Sequence, residues 1–292
     1  MKFALIEAAK ANFPVAVLCE VLDVSRSGFC AWQARPPSAR SRQDAQLAVE
    51  VTAAHGKSCK RYGSPRVHHA LRKKGVRVSA KRVARLMREK GLAGRQKRRF
   101  RRTTDSKHSS PIAPNVLLRD FEPAGPNQAW AGDVTYIATG EGWSYLAVLL
   151  DLFSRRVVGW AMSSSNGTAL ALDALRRGVE CRGGVAAGLV HHTDRETPYA
   201  SDDYHAALSS FRMTPSMSNK GDCWDNAVAE SFFATLRAEL VDHETYATAW
   251  AAEQSIGLYI DRFYNLERLH SHLEYVSPLE FELRSRSRAI AA

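Results

Sequence analysis

The sequence predicts an α/β domain preceded by a basic, all-α region with helix-turn-helix rhythm. Three observations carry that prediction. Charge is divided along the chain: residues 1–120 hold 27 Lys and Arg against 8 Asp and Glu, while residues 121–292 hold 14 against 22. Up to Gly94, apolar residues recur at three- and four-residue steps between capping residues and glycines, which is the pattern of short helices. After Asn127 come runs of β-branched, aromatic and aliphatic residues broken by short turns; these read as strands, which then alternate with helical stretches. A chain of 292 residues is long enough for about two domains with their own cores.

Residues 1–40 read as a small helical unit. Val15, Val17, Leu18, Val21 and Leu22 make an apolar face, Asp23-Val24 is a turn, and Ser25 caps a second helix reaching Trp32. The piece LCEVLDVSRSGFCAW has helix-turn-helix rhythm, with Arg26 and Ser27 opening the would-be recognition helix; a helical hairpin with no DNA role fits the same window. Residues 41–94 are the more strongly marked unit. A helix runs from about Arg42 to Ala54, Pro65 suits the first turn of the next, Gly75 ends that one, and Ser79 caps a third that stops at Gly91. On that third helix Val83, Leu86 and Met87 face inward, and Lys81, Arg82, Arg85 and Arg88 cover the outside. Within residues 51–102, 19 basic residues meet one acid, Glu89, a balance that points to a polyanion such as double-stranded DNA.

Residues 95–126 read as a linker. Its basic run includes Arg98, Arg99 and Arg101 and suits a DNA backbone, and Pro111, Pro114, Pro123 and Pro126 argue against packing. Residues 127–284 hold the α/β domain. Gln128–Ala138, Trp143–Phe153 and Arg155–Met162 are consecutive strands, followed by a helix over 167–181, a strand ending near Thr193, a helix over 201–211, a strand over 212–217 and C-terminal helices; residues 285–292 are a tail. No apolar run approaches a membrane span, and the five scattered cysteines contain no Cys-x-x-Cys pair, so a cytoplasmic, membrane-free chain without zinc ribbon or disulfide framework is expected.

The candidate chemistry lies in three acids. Asp133 sits in the strand WAGDVTYIAT, where an ionised carboxylate is costly unless a cation neutralises it. Asp194 stands at a strand end, and Glu230 lies on the helix that follows NKGDCWDN. Asp225 or Asn226 can cap that helix, and Arg237, seven residues beyond Glu230, projects from nearly the same face. Three hard carboxylates suit Mg²⁺ or Mn²⁺ rather than zinc. His191 and His192 point to opposite faces of their strand, so at most one can reach the acids.

The spacing, with 60 residues between Asp133 and Asp194 and 35 between Asp194 and Glu230, resembles the acidic triad of retroviral integrases and related transposases. More narrowly, YGSPRVHHAL, WAGDVTYI, WSYLAVLLDLFSRRVVGW, GDCWDNAVAESFFATLRAEL and RFYNLERLHSHLEYVSP resemble the second-frame transposase of bacterial insertion-sequence family three, over nearly the whole chain. The resemblance implies a ribonuclease H-like core, a mixed sheet flanked by helices, with Asp133, Asp194 and Glu230 as catalytic ligands of two Mg²⁺ ions that Mn²⁺ can replace. It implies cleavage at the element's ends and transfer of the freed 3′-hydroxyl to target DNA. Arg237 would contact DNA, Asn226 would do so or orient Glu230, and Tyr264, Asn265, Arg268 and His270 would touch DNA as well. It further implies a homo-oligomer on DNA and translation as a fusion with an upstream-frame protein. One departure stands out: the family's glycine two residues after the second aspartate is Glu196 here. Two alternatives stay open on the residues alone: a catalytically impaired DNA-binding regulator of the element, and a nuclease that never joins strands.

Overall fold

The computed structural model describes residues 1–95, 112–219 and 223–291. Helices α1 (Lys2–Ala9), α2 (Val15–Val21) and α3 (Arg26–Ala34) close around Ile6, Cys19 and Phe29. Helices α4 (Ala39–Lys57), α5 (Ser64–Lys73) and α6 (Ala80–Glu89) bury Val51, Val67, Leu71, Val83 and Leu86 against one another. Their ends follow from local chemistry. The Ser79 hydroxyl accepts from the Arg82 amide, and Gly75 and Gly91 take the left-handed conformations (φ +83° and +64°) that stop α5 and α6.

The sheet follows. Strands β1 (Ala129–Thr139), β2 (Gly142–Asp151) and β3 (Val157–Ser163) form an antiparallel meander. Strands β4 (Val190–Thr193) and β5 (Thr214–Met217) run parallel to β1, giving the order β3-β2-β1-β4-β5. The parallel crossovers pass through α7 (Thr168–Cys181) and α8 (Asp202–Ser210), as parallel pairing requires. Alternation along β2 sorts the core into two layers. Ala147 and Leu149 pack with α7 and α8, whereas Leu146, Val148 and Leu150 pack with α9 (Ala227–Glu239) and α10 (Ala249–Leu258). At Gly159 a Cβ would collide with the Ala174 carbonyl and the Gly178 amide, so glycine there lets α7 lie directly on β3. A π-helical turn, Tyr259–Tyr264, continues α10, and α11 (Pro278–Ala291) closes the chain.

Two expectations need correction. The linker does not stay clear of the core along its whole length. Of residues 95–126, Pro114 to Leu117 lie against β5: the Pro114 carbonyl accepts from the Met217 amide, the Val116 and Leu117 amides donate to Ser216 Oγ (2.9 and 3.1 Å), and Leu117 is buried. A segment outside helix and sheet must satisfy its buried amides elsewhere, and here a side chain of the neighbouring strand accepts them. Nor does Asp225 cap α9. A 3₁₀ turn, Cys223–Asn226, precedes the helix, and the buried Asp225 carboxylate accepts from the Asn219 amide, Asn115 Nδ2 and Arg119 Nε (2.8, 3.0 and 2.7 Å).

Helices α4–α6 are also docked on the α/β domain. Tyr62 Oη accepts from the Leu269 amide (2.9 Å), the His69 ring stacks on Tyr275 at 3.7 Å, and Lys73 pairs with Glu280. At the centre of this contact lies Glu239, the last residue of α9 and 4% exposed. Its carboxylate accepts from Arg268 Nε and Nη2, Arg66 Nη1 and Tyr259 Oη, and its carbonyl accepts from Arg61 and Arg95.

Candidate active site

β1 and β4 lie side by side in parallel register, Ala131 opposite His192. Asp133 lies two residues further along β1 and Asp194 just past the end of β4, so the parallel register carries the two acids to the same end of the sheet, where the charge of Asp194 acts on Asp133. Asp133 shares its strand face with Thr135 and Ile137, and Ile137 is buried in the layer formed with α9. Glu230 stands in the first turn of that helix and is exposed.

The electrostatics of the pair are unusual. Burial, then the charge of Asp194, raises the Asp133 carboxyl well above the ordinary aspartate range; the Val134 amide opposes this by donating to Asp133 Oδ1 (2.8 Å), and Glu196 and Glu230 push upward again. Asp194 is pushed up to about 7 by burial and by the charge of Glu196, partly offset by the Glu196 amide, which donates to Asp194 Oδ1 (3.1 Å). Acids that raise one another in this way are the local condition a divalent cation relieves. Among the described residues no three His, Cys, Asp or Glu side chains stand close enough to hold an ion as a group.

Glu196 does not occupy a backbone conformation reserved for glycine, because it is absent from the left-handed residues. Its effect is charge. The carboxylate is steadied by Asn166 Nδ2 at 3.5 Å and bears on both aspartates.

The other predicted residues divide into three groups. Arg237 reaches from α9 to β1: Nη2 donates to Thr135 Oγ1 and to the Tyr136 carbonyl (both 3.0 Å), and the guanidinium lies over the Tyr136 ring. It thereby fixes the helix of Glu230 against the strand of Asp133. Lys81 and Arg88 are exposed on α6, whereas Arg82 and Arg85 are half-buried and both bind Asp44 of α4 (2.6 Å each), so the cationic face is narrower than expected. Arg98, Arg99 and Arg101 lie outside the described residues.

The third group is corrected by burial. Asn226 is 6% exposed and donates from Nδ2 to the Gly132 carbonyl (3.5 Å), beside Asp133 rather than towards solvent. Tyr264 packs edge-on against Phe232 of α9 at 4.9 Å. Asn265 acts as a strand substitute, its side chain pairing with both the amide and the carbonyl of Val157 (3.0 and 2.9 Å). Arg268 is committed to Glu239, and burial drives the half-buried His270 down to about 3, leaving it neutral. Asn226, Asn265 and Arg268 thus spend side-chain hydrogen bonds inside the protein, and Tyr264 packs its ring there. Both strand histidines are structural as well. His191 Nε2 pairs with Tyr204 Oη (2.7 Å) and His192 Nδ1 with Ser216 Oγ (2.9 Å); burial lowers them to about 3 and about 4.

Sequence reasoning missed Glu239 and Asp44, whose partners lie on other elements and leave no local pattern. A clue existed for Glu239: it ends an otherwise apolar helix face at a position where a free charge would be costly.

Known proteins match this architecture. Two family descriptions named integrase core domain cover residues 123–223 and 211–278, and an HTH-like domain covers residues 41–100. The transposase InsF for insertion sequence IS3A of Escherichia coli (strain K12) is 40% identical over 284 residues, 97% of this chain and 98% of that protein. The chain belongs to the IS3 transposases. A further relative, the insertion element IS600 uncharacterized 31 kDa protein of Shigella sonnei, is 40% identical over 264 residues, 90% of this chain and 97% of its own. Among solved structures, the HTLV-2 integrase catalytic core domain in complex with magnesium (trimeric form) aligns with a TM-score of 0.42 at 16% identity, over 55% of this chain and 98% of that one. The IS3 transposase described here is thus an enzyme of the polynucleotidyl transferase class, with an integrase core behind an HTH-like region. Among its described residues no helix is long and apolar enough to cross a membrane.

Proposed function

We propose that this IS3 transposase cuts the phosphodiester at each end of its element and joins the freed 3′-hydroxyl to target DNA, with Asp133, Asp194 and Glu230 as catalytic residues. The observation that carries this reading is the parallel register of β1 and β4, which sets Asp133 and Asp194 side by side, with Glu230 on the helix packed over that face. In the first step water attacks the phosphorus and the 3′ oxygen leaves. In the second the 3′-hydroxyl attacks a target phosphodiester, so each step forms one P–O bond and breaks one.

With Glu230 drawn in from its place on α9 to join the aspartates, the three acids would hold two Mg²⁺ ions, for which Mn²⁺ can substitute; hard carboxylate oxygens and the repulsion between Asp133 and Asp194 suit such ions. Bound there, the ions supply stabilisation of the attacking and departing oxygens. The protein's own part is placement. Asp133 is fixed by the Val134 amide, Asp194 by the Glu196 amide, and Glu230 is brought towards them by a helix that Arg237 ties to β1. Arg237, two turns past Glu230 on the same helix, would contact the backbone of the bound end. Lys81 and Arg88 would contact phosphates of the same duplex, a sequence-blind and salt-sensitive contribution. Two ends must meet one target, so the working form would be a homo-oligomer on DNA, made as a fusion with the upstream-frame protein. The test is cleavage and joining of an end duplex in Mg²⁺ by the wild-type chain and by Glu230→Ala. The proposal expects both products from the first and neither from the second.

Glu196 gives the impaired-enzyme reading its one foothold. Its charge faces both aspartates and would repel the approaching phosphate. Glu196→Gly should therefore raise strand-transfer rate several-fold at limiting Mg²⁺, with the difference narrowing at saturating metal. Equal rates for the two proteins at every Mg²⁺ concentration would dismiss a role for this carboxylate.

A further inference from the structure

We infer that residues 15–34 form a second DNA-reading helix-turn-helix, separate from the α4–α6 region that the HTH-like family covers, and that α3 reads duplex DNA next to the part of the element end bound by α6. The inference rests on the proposal that the end duplex is this transposase's substrate.

The unit has the construction such a reader needs. Helix α2 is followed by a four-residue connection, Leu22 to Ser25, in which Asp23 adopts φ +51°, the left-handed residue that turns one helix sharply into the next. The turn is pinned by the Val24 amide donating to the Cys19 carbonyl (3.0 Å), and α3 starts on Ser25, whose hydroxyl accepts from the Gly28 amide (3.0 Å). Inward positions close one small core: Leu18 and Cys19 from α2, Leu22 and Val24 from the turn, Phe29 and Trp32 from α3. Helix α1 braces this pair, its Phe3 ring 6.2 Å from Phe29 and 5.9 Å from Trp32.

What remains outward on α3 suits a groove. Arg26, Ser27, Cys30 and Ala31 are exposed. Arg26 and Ser27 stand at the helix N-terminus, where recognition helices meet base edges, and the small Cys30 and Ala31 allow close approach and apolar contact with thymine methyls. From Val24 to Gln43 the chain carries Arg26, Arg35, Arg40 and Arg42 and no acid. Of the acids in residues 1–34, Glu7 is paired with Lys10 and accepts from Gln33, while Glu20 and Asp23 precede α3, whose single charged residue is Arg26. A protein-docking role is the rival, since Val17 and Val21 of α2 are exposed, but both lie outside the α3 surface just described.

The test is a footprint of the full chain on a duplex of the terminal sequence flanking its own coding region, in a Glu230→Gln background so that the DNA stays uncut. Arg26→Ala with Ser27→Ala should erase one discrete block of protection, leave the block lost in Lys81→Ala with Arg88→Ala, and weaken binding about tenfold. Unchanged protection and affinity in the Arg26/Ser27 variant, with an unchanged melting temperature, would overturn the inference. So would loss of the block through Val17→Lys alone, which would assign this unit to protein contact. Failure of strand cleavage by the wild-type chain leaves the footprint intact and bears only on the proposed chemistry, whereas absence of any footprint on the end duplex would overturn both.

Discussion

Replacing Asp133 with asparagine should abolish cleavage and joining, by roughly a thousandfold or more, while making the metal-free protein more stable, not less. Both halves follow from one fact. Burial and the neighbouring acids raise the Asp133 carboxyl well above its ordinary value of 3.8, so the folded chain holds that proton more tightly than the unfolded chain does. Where the folded state binds more protons, stability falls as pH rises through the interval between the unfolded and folded values. Asp194, raised to about 7, adds to the same slope. The metal-free wild type should therefore lose thermal stability from about pH 4 to pH 7, and Asp133→Asn should flatten part of that loss. Mg²⁺ should raise the melting temperature of the wild type at pH 8 and do little for the variant, because ligand binding to the folded state adds stability only where the site is intact. A variant that is both inactive and strongly destabilised at pH 8 would mean that Asp133 serves the fold rather than the reaction.

Glu239→Ala should cost about 3–5 kcal/mol, the range for removing one partner of a buried ion pair and leaving the other uncompensated. For a chain of this size that is a fall in melting temperature on the order of 10 °C. Arg268 would lose its bidentate partner, and Arg66 and Tyr259 would lose their acceptor. Arg268 and Tyr259 are almost wholly enclosed, so water cannot replace the carboxylate. The same contact carries a pH dependence of opposite sign to that of the aspartates. Burial would raise Glu239, but the bonds and charge of Arg268, with help from Arg66, more than reverse it and hold the carboxyl below 4.5. A lowered folded value contributes stability that is complete above the unfolded value and disappears as pH falls through the folded one. The docking of α4–α6 on the integrase core should therefore loosen only in acid below the ordinary glutamate value of 4.5, which limited proteolysis between the two would report. Because Glu239 ends the helix that begins near Glu230, the HTH-like helices and the helix of Glu230 share one buried joint. A melting temperature unchanged by Glu239→Ala would remove that joint from the account.

Much of this was legible in the chain. Runs of β-branched, aromatic and aliphatic residues between short turns located the strands, and apolar residues at three- and four-residue steps located helices, because both reflect which residues the core takes up. Asp133 stood out as a charge inside an apolar strand, and Asp194 as the residue just past a strand end. What local pattern could not show was partnership across the fold. Arg82 and Arg85 look like a solvent-facing cationic stripe until Asp44 of α4 is placed against them. Tyr264, Asn265 and Arg268 look like an exposed polar motif, yet each finds its partner on a distant element, Phe232, Val157 and Glu239. A polar residue taken up by the core and one offered to DNA have the same local sequence appearance, and only the tertiary contact separates them.

The central claim is strand transfer by the acids of β1, the end of β4 and α9. It is tested most directly by incubating the full chain with Mg²⁺, a 3′-end-processed terminal duplex labelled on the transferred strand, and an unlabelled target plasmid. The account predicts label covalently attached to the plasmid in the wild-type reaction, and none with EDTA or with Glu230→Ala. Label released only as shortened fragments, with none joined to the plasmid, or joining that survives Glu230→Ala, would contradict it.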